Sequence, residues 1–279
     1  MTTTSDERGV LYVVSTPIGN LADMTLRALE TLRTVGVVLA EDTRHSRKLL
    51  DHFEITTPLV AHHEHNEAKS TPALVERLQR GESMALITDA GTPLVSDPGA
   101  RLVAAAIAGG VRVVPIPGAS AVLAALVAAG LPADRFTFFG FLDRKGKERQ
   151  QSISVIAALA HTAVLYESPN RLADTLDELQ RSGLGGRNAA IARELTKQFE
   201  EVRRGTVEEL ARYYADAPAR GEIVIVIEGG AVVAPSEESL RARARALRAA
   251  GASTRDVVTT LTSELGASRN VAYRLAQEP

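Results

Sequence analysis

The chain has 279 residues, 45% of them hydrophobic, with a formal net charge of -2 and no cysteine. The missing cysteine excludes disulfides and thiolate metal sites, and the near-neutral charge argues against an electrostatic clamp for nucleic acid spread over the whole molecule. With 4% aromatic residues and no tryptophan, a base-stacking platform is poorly supported as well. Residues 1–9 are polar and lack the basic-then-apolar order of a signal peptide, and no apolar run approaches about 20 residues. A cytoplasmic protein without a membrane span is therefore expected.

In chain order, apolar stretches near residues 10–15, 36–40, 58–61, 84–88 and 111–115 read as strands separated by segments of helical spacing. Leu26, Leu29 and Leu32 mark one helix face, and Leu74, Val75 and Leu78 another. Short strands apolar along their whole length are those of an α/β sheet covered on both faces. After a helix over 122–129, Gly130-Leu131-Pro132 breaks the pattern and predicts a hinge of three residues. A second unit follows, with strands at 136–141, 163–166, 189–192, 201–204 and 222–228, and with Leu172, Leu176 and Leu179 along a helix. Two of these strands lie so close in sequence, around 193–206, that part of this sheet is expected to be antiparallel. From about Ser236 the chain reads as three short helices with Ser253 and Ser268 as N-caps. Val257, Val258, Leu261 and Leu265 form their apolar face. The spacing suits a helix-turn-helix and equally a small bundle that packs on the body or mediates assembly. The predicted fold is thus α/β: domains 1–129 and 130–232 with a cleft between them, and a helical tail 233–279.

Three strand ends share one chemical character. The loops Ser15-Thr16-Pro17-Ile18-Gly19-Asn20, Thr88 through Gly99, and Pro115 through Ser120 are rich in Gly, Pro, Ser and Thr, and Asp89 and Asp97 add carboxylates. Glycine admits a ligand close to the backbone, and open α/β sheets bind ligands at such strand ends. Neither G-x-G-x-x-G nor G-x-x-x-x-G-K-[ST] occurs, which disfavours a dinucleotide dehydrogenase and a nucleoside triphosphatase. Asp42 or Thr43 reads as a helix cap, with Arg44 either solvated or on a phosphate. The stretch from His62 to Asn66 holds three of six histidines without metal-ligand spacing, so presenting His63, Glu64 and Asn66 to a substrate is preferred to a catalytic metal. The basic loop 143–149 is either a solvated turn or a flexible grip on phosphates. Tyr166 to Arg171, with a helix started at a proline-marked position, and Arg193 to Lys197 again place polar groups at strand ends.

The segments STPIGNLADMTLRALE, LAEDTRHSRKLL, HHEHNE, ITDAGTPLVSDPG, VPIPGASA, GFLDRKGKER, LYESPNRL and ARELTKQFEE occur in this order. Over residues 10–230, and more loosely in the tail, the chain resembles the bacterial small-subunit (16S) ribosomal RNA cytidine 2′-O-methyltransferases, of the tetrapyrrole-methylase-like class III. The resemblance implies S-adenosyl-L-methionine as cofactor, held in the cleft by Thr16, Pro17, Asp89, Ala90, Gly91, Thr92, Pro93, Ser120 and Ala121. Tyr166 and Glu167 would close over its adenosine. It further implies a homodimer, and a cytidine of the decoding region in the assembled small ribosomal subunit as substrate. Arg44, Lys145, Lys147 and Arg149 would hold the RNA backbone. Methyl transfer to a 2′-hydroxyl demands alignment first and benefits from a base, for which His63, Glu64, Glu167 and Lys197 are unranked candidates. Two other readings stay open: a methylase of a tetrapyrrole, which has no need of the basic loop or the tail, and a non-catalytic RNA-binding module of ribosome assembly, which would not bind S-adenosylmethionine.

Overall fold

The computed structural model describes residues 8–230 and 236–278. Most of the start read at 1–9 and the boundary at 232–233 lie outside the described residues. The chain divides into two units, one ending at Gly230 and one beginning at Ala231.

The first unit opens with five parallel strands, β1 (Val10–Val14), β2 (Val37–Ala40), β3 (Leu59–Ala61), β4 (Met84–Ile87) and β5 (Arg112–Ile116), in the order β3-β2-β4-β1-β5. Every residue of β2 and β4 is buried, because helices cover both faces of the sheet. On one face Ala28 and Leu32 of α1 (Leu26–Thr34) and Leu50 of α2 (Thr43–His52) pack on Val14, Val38 and Ala85. On the other, Leu74 and Leu78 of α3 (Glu64–Gln79) and Leu102 of α4 (Ala100–Ala108) pack on Leu11, Leu39 and Leu86. Each buried leucine contributes about 1.5–3 kcal/mol. Leu26 departs from the expected face and is 86% exposed. Steps of three residues along a helix of 3.6 per turn drift, so Leu26 lies about 120° round from Leu32.

The second sheet has β6 (Phe136–Phe141), β7 (Thr162–Glu167), β8 (Asn188–Arg193), β9 (Glu201–Thr206) and β10 (Ile223–Ile227), in the order β6-β7-β10-β8-β9. It is mixed. β6 and β7 are parallel, whereas β10 runs antiparallel to β7 and β8, and β9 antiparallel to β8. The antiparallel pairing expected near 193–206 is the β8–β9 hairpin. One face carries α6 (Lys147–Ala158), α7 (Leu172–Leu179) and α8 (Val207–Asp216), with Ile156, Leu172, Leu176, Leu179 and Leu210 buried. The other is covered by α5 (Ala121–Ala129), whose Val122, Ala125, Leu126 and Ala129 pack on Val164, Ala190 and Val226. Two local expectations shift. Residues 130–135 separate α5 from β6, longer than the hinge of three, and α7 begins at Leu172 rather than beside Pro169.

The second unit is a three-helix bundle, α9 (Glu237–Ala249), α10 (Thr254–Ser263) and α11 (Arg269–Gln277), capped by Ser236, Ser253 and Ser268. Leu240, Val257, Leu261 and Leu275 form its core, with Val258 and Leu265 at the edge. Among the described residues no helix is long and apolar enough to cross a membrane.

Candidate active site in the cleft of the first unit

In a parallel sheet every carboxyl end points the same way, so the loops after β1, β4 and β5 converge. Side chain and backbone stitch them together. Thr16 and Gly91 exchange backbone hydrogen bonds of 2.8 and 3.1 Å, and the Thr16 hydroxyl donates to the Thr88 carbonyl at 3.1 Å. The Ser15 and Thr92 hydroxyls lie 3.1 Å apart, and Thr92 donates to the Ala119 carbonyl at 3.3 Å. A Cβ on Gly118 would stand 2.9 Å from that of Ser15, so glycine alone lets the third loop approach this closely. Ser120 then caps α5.

These loops form one wall of a cavity of about 390 Å³. Ile18, Ala90, Gly91, Thr92, Val95, Ser96, Asp97, Ser120 and Ala121 come from the first sheet. The opposite wall is the edge of the second sheet: Phe141, Tyr166, Glu167, Ser168, Pro169, Ala192, Leu195 and Gly221 through Val224. An apolar lining with a few placed polar groups at the edge of two sheets is the make-up of a small-molecule site.

Of the residues expected around a cofactor, Ala90, Gly91, Thr92, Ser120, Ala121 and Tyr166 line this cavity. Thr16, Pro17 and Pro93 are buried behind it, and Thr16 acts as the clasp on Gly91. Asp89 accepts the Asp42 N–H at 3.3 Å, joining the β4 loop to the β2 loop. Leu195, Gly221 and Glu222 were missed; their signal in the sequence is a glycine immediately before the apolar run of β10.

The four candidate bases have other tasks. Glu167 lines the cavity, but its buried carboxylate accepts from the Ser168 N–H at 2.7 Å and the Thr175 hydroxyl at 2.6 Å, with Arg171 Nε at 3.4 Å. It ties β7 to α7. His63 stands at the N-cap of α3, where its N–H donates to the Asn66 side chain, and neither it nor the exposed Glu64 lines the cavity. Lys197 bridges Glu194 at 2.9 Å and Glu222 at 3.1 Å. Burial works against its charge, but the bonds to these carboxylates outweigh it and raise its pKa, so the amine is a committed cation rather than a base. His62 is buried beside Ser70, and burial pulls its pKa down.

Among the phosphate-binding candidates, Arg149 requires a correction. Its guanidinium is buried, pairs with Glu178 at 2.6 Å and donates to the Thr175 hydroxyl and the Asp143 carbonyl. It fastens the basic loop to α7 and presents no charge to solvent. Lys145 and Lys147 are exposed. Arg44 is 90% exposed and pairs with Asp42, whose carboxyl caps α2 and is held down at about 2 by the hydrogen bond from the Arg44 side chain. Among the described residues no group of three His, Cys, Asp or Glu is placed to hold a metal ion.

Residues 10–211 match the family described as Tetrapyrrole (Corrin/Porphyrin) Methylases. The chain belongs to that family. It is 46% identical over 97% of its length to the ribosomal RNA small subunit methyltransferase I of Synechocystis sp., and covers 98% of that relative. It is 55% identical to the protein of the same name from Mesorhizobium japonicum, over 78% of this chain and 74% of that one. In fold it is similar to the uroporphyrin-III C-methyltransferase from Thermus thermophilus in complex with S-adenosylhomocysteine, with a TM-score of 0.55, 20% identity, and coverage of 79% of this chain and 97% of that one.

Proposed function

We propose that the protein transfers the methyl group of S-adenosyl-L-methionine to the ribose 2′-hydroxyl of a cytidine in the decoding region of small-subunit ribosomal RNA. The relationship to methyltransferases of that name along nearly the whole chain carries the reading. The cavity fits the cofactor by its chemistry. Ile18, Leu195 and Val224 offer apolar contact to an adenosine, the bare backbone of Gly91 admits close approach, and the carboxylate of Glu222 suits the positive charge of the methionine end. When bound, the cofactor supplies an activated methyl group. The chain's part is to orient it, exclude water and bring the hydroxyl into line behind the methyl carbon.

In this reading residues 1–129 and 130–232 act as two domains around the cofactor, and the exposed Arg44, Lys145 and Lys147 meet the RNA backbone. The substrate is the assembled small subunit, and the enzyme works in the cytoplasm as a homodimer. A second copy suits the outer face of α5, where Leu123 and Val127 are 53% and 78% exposed. Labelled S-adenosylmethionine incubated with the protein and small subunits from cells lacking the enzyme tests this. One 2′-O-methylated cytidine in the decoding region is expected. Tight cofactor binding without label in the RNA would overturn it in favour of a tetrapyrrole acceptor.

A further inference from the structure

Each of the four candidate bases is held by a cap or an ion pair or lies away from the cavity, whereas one acid lines it with no cation among the groups that set its charge. Asp97 lines it from the loop after β4, facing Tyr166 and Glu222 of the other sheet. The backbone on its amino side is strained, with Leu94 at φ +72° and Ser96 at φ +69°. Such conformations are strained for a non-glycine residue and persist where surrounding structure enforces them. Part of that enforcement is visible: a Cβ on Gly140 of β6 would stand 3.2 Å from the Ser96 hydroxyl, so this loop leans on bare backbone of the second sheet.

The surroundings of Asp97 set its basicity. Burial pushes its carboxyl up to about 6; Glu41 after β2 and Asp89 after β4 push the same way, and a hydrogen bond with the Thr88 hydroxyl opposes them. No cation figures among these groups. Across the cavity Asp97 faces Tyr166, whose own pKa is raised by burial and then by Asp97 and Glu222. A carboxylate of this kind is ionised at neutral pH, yet takes a proton more readily than an ordinary one.

We propose that Asp97 is the general base of the methyl transfer, accepting the proton of the ribose 2′-hydroxyl. The proposal rests on the RNA methyltransferase reading above. As the 2′-oxygen bonds to the methyl carbon, the carbon–sulfur bond breaks and its electron pair stays on sulfur. The hydroxyl proton passes to an Asp97 oxygen. The products are a methyl ether, a neutral thioether and a carboxylic acid, which returns its proton to water after release.

The test compares the full-length protein with Asp97→Asn, which keeps size and shape. For the variant, kcat on small subunits is expected to fall about 100- to 1,000-fold. Its KM for the subunit and its calorimetric Kd for S-adenosylmethionine are expected to stay within about threefold. The wild-type kcat/KM for S-adenosylmethionine rises with pH through an inflection near 6; Asp97→Asn lacks it. Carboxyl carbon NMR of the ligand-free protein gives an independent reading, a resonance titrating near 6 that the variant loses. A variant with kcat within about threefold of wild type, an inflection that survives the substitution, or a defect confined to cofactor affinity overturns the assignment. A wild-type protein that binds the cofactor but leaves the RNA unlabelled fails earlier, at the function itself, and takes the assignment with it.

Discussion

The two sheets of the first unit build opposite walls of one cavity by different rules. In the parallel sheet all five strands end on the same side, so its wall consists of carboxyl-end loops stitched by Thr16, Ser15 and Thr92. In the mixed sheet β10 runs against β7 and β8, with Ile223 opposite both Glu167 and Arg193. The residues entering β10, Gly221 and Glu222, therefore stand beside the residues leaving β7. A rule that looks for ligands at the carboxyl ends of strands finds the first wall and half of the second.

The largest expected effect concerns the basic loop 143–149, which sequence alone reads as a solvated turn or a grip on phosphates. Arg149→Ala removes the partner of Glu178 and of the Asp143 carbonyl and leaves a buried site empty, and is expected to cost about 3 kcal/mol. That lowers Tm by roughly 5–10 °C in thermal unfolding, with RNA affinity of the folded variant unchanged. A drop in RNA affinity at unaltered Tm would return Arg149 to the substrate surface.

Next come the two glycines that face each other across the comparison. Gly91 has φ +83° and Gly221 φ +82°; a Cβ there would meet Ile18 at 3.3 Å and Glu194 at 2.3 Å respectively. Gly91→Val and Gly221→Val are each expected to weaken S-adenosylmethionine binding by at least about tenfold in calorimetry. Normal affinity in Gly221→Val alone would show that the amino-end loop is no part of the site.

The double change Lys145→Ala with Lys147→Ala is expected to raise the KM for RNA by roughly threefold to tenfold and flatten its salt dependence by about 1.5 in log–log slope. Cofactor affinity stays as it was. An unchanged salt slope would leave the exposed part of this loop without a role in RNA binding.

The smallest effect is one of stability. The Asp97 carboxyl stands at about 6 in the fold against 3.8 as its ordinary value, so the folded state holds the proton more tightly than the unfolded one. Its cost to stability is thus present above pH 6 and fades as pH falls toward 4. Asp97→Asn is expected to melt about 1–2 °C higher than wild type at pH 8, the two curves converging near pH 4. A variant that is less stable at pH 8 would mean that the carboxylate supports the loop instead.

Much of this molecule is legible in one dimension. The ten strands are legible to within a residue or two: β2, β4 and β10 are short apolar runs buried on both faces, whereas the charged and half-buried β9 is legible as the partner of a strand close by in sequence. The loops carrying Gly91, Thr92 and Ser120 were legible as well, since parallel strands deliver their carboxyl ends to one edge wherever they sit in the order. The tail's caps at Ser253 and Ser268 are local hydrogen bonds and need no partner from elsewhere. Tertiary structure decided the rest. Whether an arginine in a basic run faces water or Glu178, whether Glu167 is free or held by Thr175, and whether Asp97 meets a cation or two other carboxylates depend on side chains 8 to 56 positions away that only packing brings within reach. Charge and basicity are set by burial and neighbours in space, and those are properties of the fold.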